Sequence, residues 1–404
     1  MVAEEGRKLY LKIDATDRMK QLMTEYYIDA KGAEGTDRPI CWITSGGPVE
    51  FLIAMDVIPI YPENHGAMCG ASKMGVQLAE VAEGLGFSGD LCSYARLDIG
   101  SAITHGGPIG GLPRPDFLLC CNNICGTVQK WYEELARYFE VPMFLMDTPF
   151  IHKTTYEHAT EYVRKQCLEL VAFLEEQTGR EFSLERFAEV AMLSVEGIEL
   201  WKEVLKTAEH RPSPLTCFDA FIHMALIVTL RGTPEVVEYY RLLKGEMEKR
   251  IENGISAVPE EKHRLIWDNI PIWFEMRNLG QLFARNNTCL VADTYTTAWA
   301  IDIKIDDPLT SMADAYTGIY LNISIDLMFE KLLALIERFS ADGVVMHSNR
   351  SCKPYSLGQY DLARMVTERT GKPVLMIEAD MTDSRAYSEA QVRDRVEAFI
   401  ESFP

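Results

Sequence analysis

The chain has 404 residues, 47% of them hydrophobic and 25% charged, a composition that excludes disorder as the default and leaves room for two or three globular domains. Its 40 Lys and Arg stand against 60 Asp and Glu, a formal net charge of −20. Phosphate backbones would be repelled and no basic stripe compensates, so nucleic acid is excluded as a partner, and an anionic ligand must find its cations inside a pocket.

The first residues, MVAEEGRKLYLKIDATDRMK, hold no apolar signal core, and no window reaches the roughly 18 uninterrupted apolar residues of a membrane span. The ten cysteines are scattered singly apart from the adjacent Cys120 and Cys121, unlike a secreted disulfide framework. The expectation is a cytoplasmic protein with reduced thiols and no membrane contact.

Residues 5–37 read as a helix, with Leu9, Ile13, Met19, Leu22, Met23 and Tyr26 on one face and Gly32 and Gly35 ending it. Residues 40–44 form a short buried strand that runs into Ser45-Gly46-Gly47-Pro48. A turn or two of helix over 50–57 leads to a second strand, 58–61, and to Pro62-Glu63-Asn64-His65 as its terminal loop. Two consecutive strand ends thus present Ser45 and Glu63, which a parallel sheet would bring to one edge. Another helix begins around Leu91-Cys92-Ser93-Tyr94. Pro113-Arg114-Pro115 forces an extended entry into the next strand.

That strand, 117–121, stops at the polar pair Asn122 and Asn123, and Cys125-Gly126 and an amphipathic run over 128–139 follow: strand, tight loop, helix. Cys125 then lies just beyond the carboxyl end of a buried strand, where open α/β sheets place their ligands. The nearby helix N-terminus favours a metal-binding thiolate. A small core residue beside a turn is the competing reading. Residues 142–147 add another strand.

From 156 to about 283 the pattern is helical, over 156–177, 183–209, 215–230 and 234–253, with Cys167 and Cys217 as core residues. Ser183 and Thr233-Pro234 are N-terminal signals. A second α/β unit follows: strand 288–292, helix 327–339, strand 343–347, loop 348–355, helix 359–370, strand 372–378 and helix 388–403. Cys352 repeats the setting of Cys125. The expected organisation is a helical N-terminal segment (1–37), a first α/β unit (38–150), a helical spacer or lid (151–285) and a second α/β unit (286–404). Each unit is expected to be a doubly wound parallel sheet of Rossmann or flavodoxin-like type, the two facing each other so that their loops meet. Cys92 and Cys125 stand 33 residues apart, too far for a zinc-ribbon loop, and meet only if the fold joins them.

Five segments, YPENH (61–65), DLCSYARLDIG (90–100), PRPDFLLCCNNICGTVQKWYE (113–133), HSNRSCKPYS (347–356) and IEADMTDSRAYSEAQ (377–391), run through both α/β units. In that order they resemble the 2-hydroxyacyl-CoA dehydratase and benzoyl-CoA reductase subunit family. The resemblance implies an oxygen-sensitive subunit with one [4Fe-4S] cluster held by three cysteines, which match Cys92, Cys125 and Cys352. One iron then lacks a cysteine ligand and can bind water or the thioester carbonyl of a substrate. Cys120 and Cys121 are near enough in sequence to compete; they, with Cys41, Cys69 and Cys289, are assigned to the core.

The implied dehydratase reaction removes water from an (R)-2-hydroxyacyl-CoA to give the 2-enoyl-CoA. The β-proton to be removed is not acidified by the thioester, so one electron is added to form a ketyl radical and recovered afterwards. The resemblance further implies an ATP-dependent iron–sulfur activator that injects the electron and a related second subunit that completes a heterodimer.

Glu63 and Ser45 are the acid/base candidates, since a carboxylate in a dry pocket titrates towards neutrality and a hydroxyl can hydrogen-bond a departing oxygen. Capping of a turn explains Glu63 equally well, and service to the Gly-Gly loop explains Ser45. His65, His105 and His347 are further candidates, each open to a surface or core reading. Arg350 and Lys353 are candidates for the coenzyme A phosphates, with loop solvation as the alternative. Three functions remain in view: dehydratase subunit, benzoyl-CoA reductase-type subunit, and an electron-transfer or scaffold subunit whose cluster never touches substrate. A zinc-binding structural protein is a more remote fourth.

Overall fold

The computed structural model describes residues 12–154, 156–304 and 307–404. The N-terminal helix is Ala15–Ala33, which buries Met19, Leu22, Tyr26 and Ala30. It is shorter than the sequence pattern at both ends, and residues 5–11 of that expectation lie outside the described residues. Its start is fixed from elsewhere in the chain: the Glu246 carboxylate accepts from the amides of Asp14 and Ala15, each at 2.8 Å, satisfying donors that a helix cannot satisfy itself.

The first sheet contains β1 (Ile40–Ile43), β2 (Ile58–Ile60), β3 (Phe117–Cys121) and β4 (Met143–Met146). The second contains β5 (His263–Asp268), β6 (Thr288–Asp293), β7 (Gly343–Asn349) and β8 (Val374–Ala379). All pairings are parallel, and the spatial orders are β2-β1-β3-β4 and β6-β5-β7-β8. Both sheets thus use the flavodoxin-like permutation, with helices on their faces. In each, the strand order reverses beside the first strand, which opens a crevice at the carboxyl ends of β1 and β3 and of β5 and β7. The central strands β1 and β3 are apolar throughout because both faces are covered.

Two elements beside the site also differ from the sequence reading. The pattern extends the helical spacer to 285, whereas β5 lies inside it, so the second sheet begins at His263. Arg264 interrupts the apolar run that would have marked this strand. In the fold the Arg264 guanidinium is buried and held by the carbonyls of Phe339 (2.9 Å) and His210 (3.0 Å) and by Glu261 (2.7 Å). The second difference is at Pro62-Glu63-Asn64-His65, which is not a loop. Pro62 opens the helix Pro62–Ala71, a position where its missing amide costs nothing, so Glu63 stands in a first helical turn.

The middle of the chain forms the helices Glu157–Thr178, Leu184–Lys206, Cys217–His223, Ala225–Thr229 and Pro234–Glu252. The single helix expected over 215–230 is therefore two short ones. Helices Gly75–Gly84 and Ser93–Thr104 cross at Gly100, where a Cβ would fall 2.0 Å from the Leu78 carbonyl oxygen. The units are tied together by Arg96, 2% exposed, which bonds Asp383 at 3.1 Å and also pairs with Glu83. Among the described residues no helix is long and apolar enough to cross a membrane.

Candidate functional site

The crevices of the two sheets open onto one cavity of about 130 Å³. Cys92, Cys125 and Cys352 all line it, together with Ser45 and Glu63. Each cysteine immediately precedes a helix: Ser93–Thr104, Gly126–Phe139 and Lys353–Ser356. The loops of Cys92 and Cys352, from different units, are joined by the residues beside them, for the Ser93 amide donates to Ser351 Oγ at 3.1 Å and Ser351 donates to Asp380. The loop of Cys125 is placed by Asn123, whose side-chain amide donates to the Gly46 carbonyl (2.8 Å) and to the Tyr316 carbonyl (2.7 Å). Glycine at position 46 allows this close approach, because a Cβ there would lie 2.6 Å from Asn123 Oδ1 and would push the loop aside.

Burial pushes the Cys92 thiol up to about 12, and the neighbouring Cys125 adds to the rise. Burial also raises Cys125 and Cys352; backbone hydrogen bonds at Val128 and Thr127 oppose it at Cys125, and one at Tyr355 opposes it at Cys352. Three thiols that would repel one another once ionised in an apolar cavity become thiolates together only if a cationic centre takes them as ligands. The other seven cysteines are buried and none lines the cavity. Among the described residues no group of three or more His, Cys, Asp or Glu is arranged to hold a single metal ion. A tetrahedral zinc site gathers its thiolates to about 2.3 Å from one ion, whereas a cluster offers each cysteine its own iron, and three thiols on the wall of one cavity are the kind of donor set a cluster would take.

The end of β1 and the first turn after β2 meet as a parallel pair requires. The Ser45 amide donates to Glu63 Oε1 at 3.1 Å, while Glu63 Oε2 is buried with no hydrogen-bond partner. Loss of solvent raises the Glu63 carboxyl from 4.5 to about 7, against the hydrogen bond from Ser45. Asp98, behind it, is raised by burial to about 8 and accepts from Trp131 Nε1 at 2.9 Å. The histidines take other places. His65 is buried against Cys69 (3.7 Å), His347 bonds the Ile270 carbonyl through Nδ1 (2.6 Å), and His105 closes a helix in left-handed conformation; none lines the cavity.

Sequence reasoning missed the cation of this site. Arg231, 1% exposed, lines the cavity and pairs with Glu50, 0% exposed, at 3.1 Å. Tyr316 donates to Glu50 Oε2 (2.6 Å) and accepts from Arg231 (2.8 Å), and the guanidinium lies 5.4 Å from the Trp299 ring centre. The available signal was a pair of opposite charges, Glu50 within an apolar helical run and Arg231 directly after one.

Ser45, Tyr295 and Trp299 are shared with a wider groove of about 900 Å³. Methionines 19, 23, 68, 224 and 276 line it, as do the exposed cations Lys20, Lys73 and Arg277. Arg350 and Lys353 line neither space. Arg350 pairs with Glu378 at 3.4 Å, and Lys353 donates to the Arg350 carbonyl at 2.5 Å.

Residues 44–403 match the family described as 2-hydroxyglutaryl-CoA dehydratase, D-component. The chain is 36% identical over 393 residues to the (R)-2-hydroxyisocaproyl-CoA dehydratase alpha subunit of Clostridioides difficile, covering 96% of each chain. It is 34% identical to the lactoyl-CoA dehydratase subunit alpha of Anaerotignum propionicum, covering 92% of each. To a subunit of the benzoyl-CoA reductase of Thauera aromatica it is 29% identical, over 97% of this chain and 95% of that one.

Proposed function

Because the chain belongs to the 2-hydroxyglutaryl-CoA dehydratase, D-component family, we propose that it is the iron–sulfur subunit of a hydro-lyase that converts an (R)-2-hydroxyacyl-CoA into the 2-enoyl-CoA. One observation carries the reading: Cys92, Cys125 and Cys352, drawn from both α/β units, line a single apolar cavity with Glu63 and Ser45. Those three thiolates would hold a [4Fe-4S] cluster with one iron free of cysteine. When bound, the cluster supplies the single electron that makes the β-proton acidic, and recovers it at the end of each turn.

The chain's own residues supply the rest. Glu63, with a carboxyl near neutrality and one oxygen without a partner, can hold a proton or accept one at Oε2. The Ser45 amide fixes Oε1, and the Ser45 side chain stands on the same wall to meet the departing hydroxyl. The apolar walls keep water from the reacting atoms. The groove beside the cavity suits the pantetheine arm, with Lys20, Lys73 and Arg277 meeting the coenzyme A phosphates better than Arg350 and Lys353 would. The reading includes a related second subunit in a heterodimer, an ATP-dependent iron–sulfur activator, and a cytoplasmic, anaerobic setting. The alpha-subunit names of the dehydratase relatives support the partner subunit.

The similarity to the benzoyl-CoA reductase subunit favours a second reading, ring reduction. Turnover with limiting reductant separates the two. A dehydratase forms many enoyl-CoA molecules per electron injected, and a reductase consumes electrons in proportion to product. Product stoichiometric with electrons would refute the dehydratase reading.

A further inference from the structure

We propose that the acyl group taken by this cavity is apolar and uncharged, and that Ile301, Ile319 and Leu321 select it over acyl groups that end in a carboxylate. The inference rests on the acyl-CoA reading above. All three residues line the cavity, and all three are only half-buried, leaving apolar surface for a ligand to cover. They follow β6 on the two sides of the helix Pro308–Thr317, Ile301 before it with Trp299 and the other two just after it. Ile124 and Val128 continue the apolar lining from the first unit.

The charges point the same way. Among the described lining residues Arg231 is the one cation, and its charge is already paired with Glu50 while Nη1 bonds the Ile227 carbonyl at 3.3 Å. Its Nε bonds Glu50 at 3.1 Å, and Nη2 bonds the Tyr316 hydroxyl at 2.8 Å and approaches the Gly47 carbonyl at 3.4 Å. Trp299 and Tyr316 lie against the guanidinium, with ring centres at 5.4 and 5.8 Å. An incoming carboxylate would lose its water, find an Arg231 whose charge Glu50 already neutralises and which cannot offer the two-pronged contact a carboxylate needs, and share the cavity with Glu63. An aliphatic chain of similar length loses nothing and covers the half-exposed side chains.

The test is equilibrium binding of two saturated thioesters, isocaproyl-CoA and glutaryl-CoA, to the purified heterodimer without reductant or activator. Neither carries the α-hydroxyl that the reaction removes, so binding is read apart from turnover. Isocaproyl-CoA is expected to bind at least about 100-fold more tightly, and Ile301→Arg to shrink that ratio at least about tenfold by giving the carboxylate a partner. The melting temperature of the variant is measured alongside, and the wild-type ratio decides the matter if the variant does not fold. Equal or tighter binding of glutaryl-CoA would overturn the inference while leaving the acyl-CoA reading standing. Failure of both thioesters to bind would overturn that reading and the inference with it.

Discussion

Replacing Arg231 by methionine should destabilise the protein far more than removing a surface charge. The Glu50 carboxylate is 0% exposed, and in the variant it would keep its hydrogen bonds from Ser194 (2.9 Å) and Tyr316 (2.6 Å) but lose its guanidinium counter-charge at 3.1 Å. Breaking a buried pair by removing one partner costs about 3–5 kcal/mol, whereas replacing both often costs little. Arg231→Met is therefore expected to lose about 3–5 kcal/mol, and Glu50→Gln combined with Arg231→Met to recover about half of that or more. The coupling between the two sites would then be at least about 2 kcal/mol, the loss in Glu50→Gln alone adding to it, for residues 181 apart in sequence. Urea denaturation of the four proteins in the cycle, followed by circular dichroism, gives the energies directly. A loss below about 1 kcal/mol in the single variant, or additive losses in the double, would refute the view that this pair braces the cavity wall.

Glu63→Gln should stabilise the protein in a pH-dependent way. The folded carboxyl holds its proton up to about pH 7 and the unfolded one only to about 4.5, so wild-type stability falls as pH rises between those values. The advantage of the glutamine variant should grow across that window and level off above pH 7 at about 3 kcal/mol, since each tenfold change in proton affinity between the folded and unfolded carboxyl is worth ~1.4 kcal/mol. Denaturation midpoints at pH 5, 6 and 8 check it, and a flat difference would show that Glu63 is not a desolvated acid. Gly46→Ala, whose new Cβ would fall 2.6 Å from Asn123 Oδ1 and 2.7 Å from Ile124 Cγ2, should cost about 1–3 kcal/mol by displacing the Cys125 loop. An unchanged urea midpoint would contradict that placement.

What the sequence made legible follows from where its patterns are local. Cys125 and Cys352 each follow an apolar run that ends abruptly in polar residues, and both stand at strand ends on the cavity. Ser45 and Glu63 were paired by strand order alone, and the amide of one bonds the carboxylate of the other. The losses came where distant residues hide a pattern. Arg264 makes β5 look unlike a buried strand until the distant carbonyls of Phe339 and His210 are counted with the neighbouring Glu261. Glu50 and Arg231 mark the site only once the fold joins them, and Pro62 is compatible with a turn or a helix start until Glu63 is seen docked on Ser45.

Iron and acid-labile sulfide per chain, measured on protein purified without oxygen and on its Cys352→Ser variant, test the central claim most directly. About four of each, with a brown absorbance lost in air and absent from the variant, is the predicted result. Wild-type protein free of iron, or a variant that keeps its full complement, would contradict a cluster held jointly by the two α/β units.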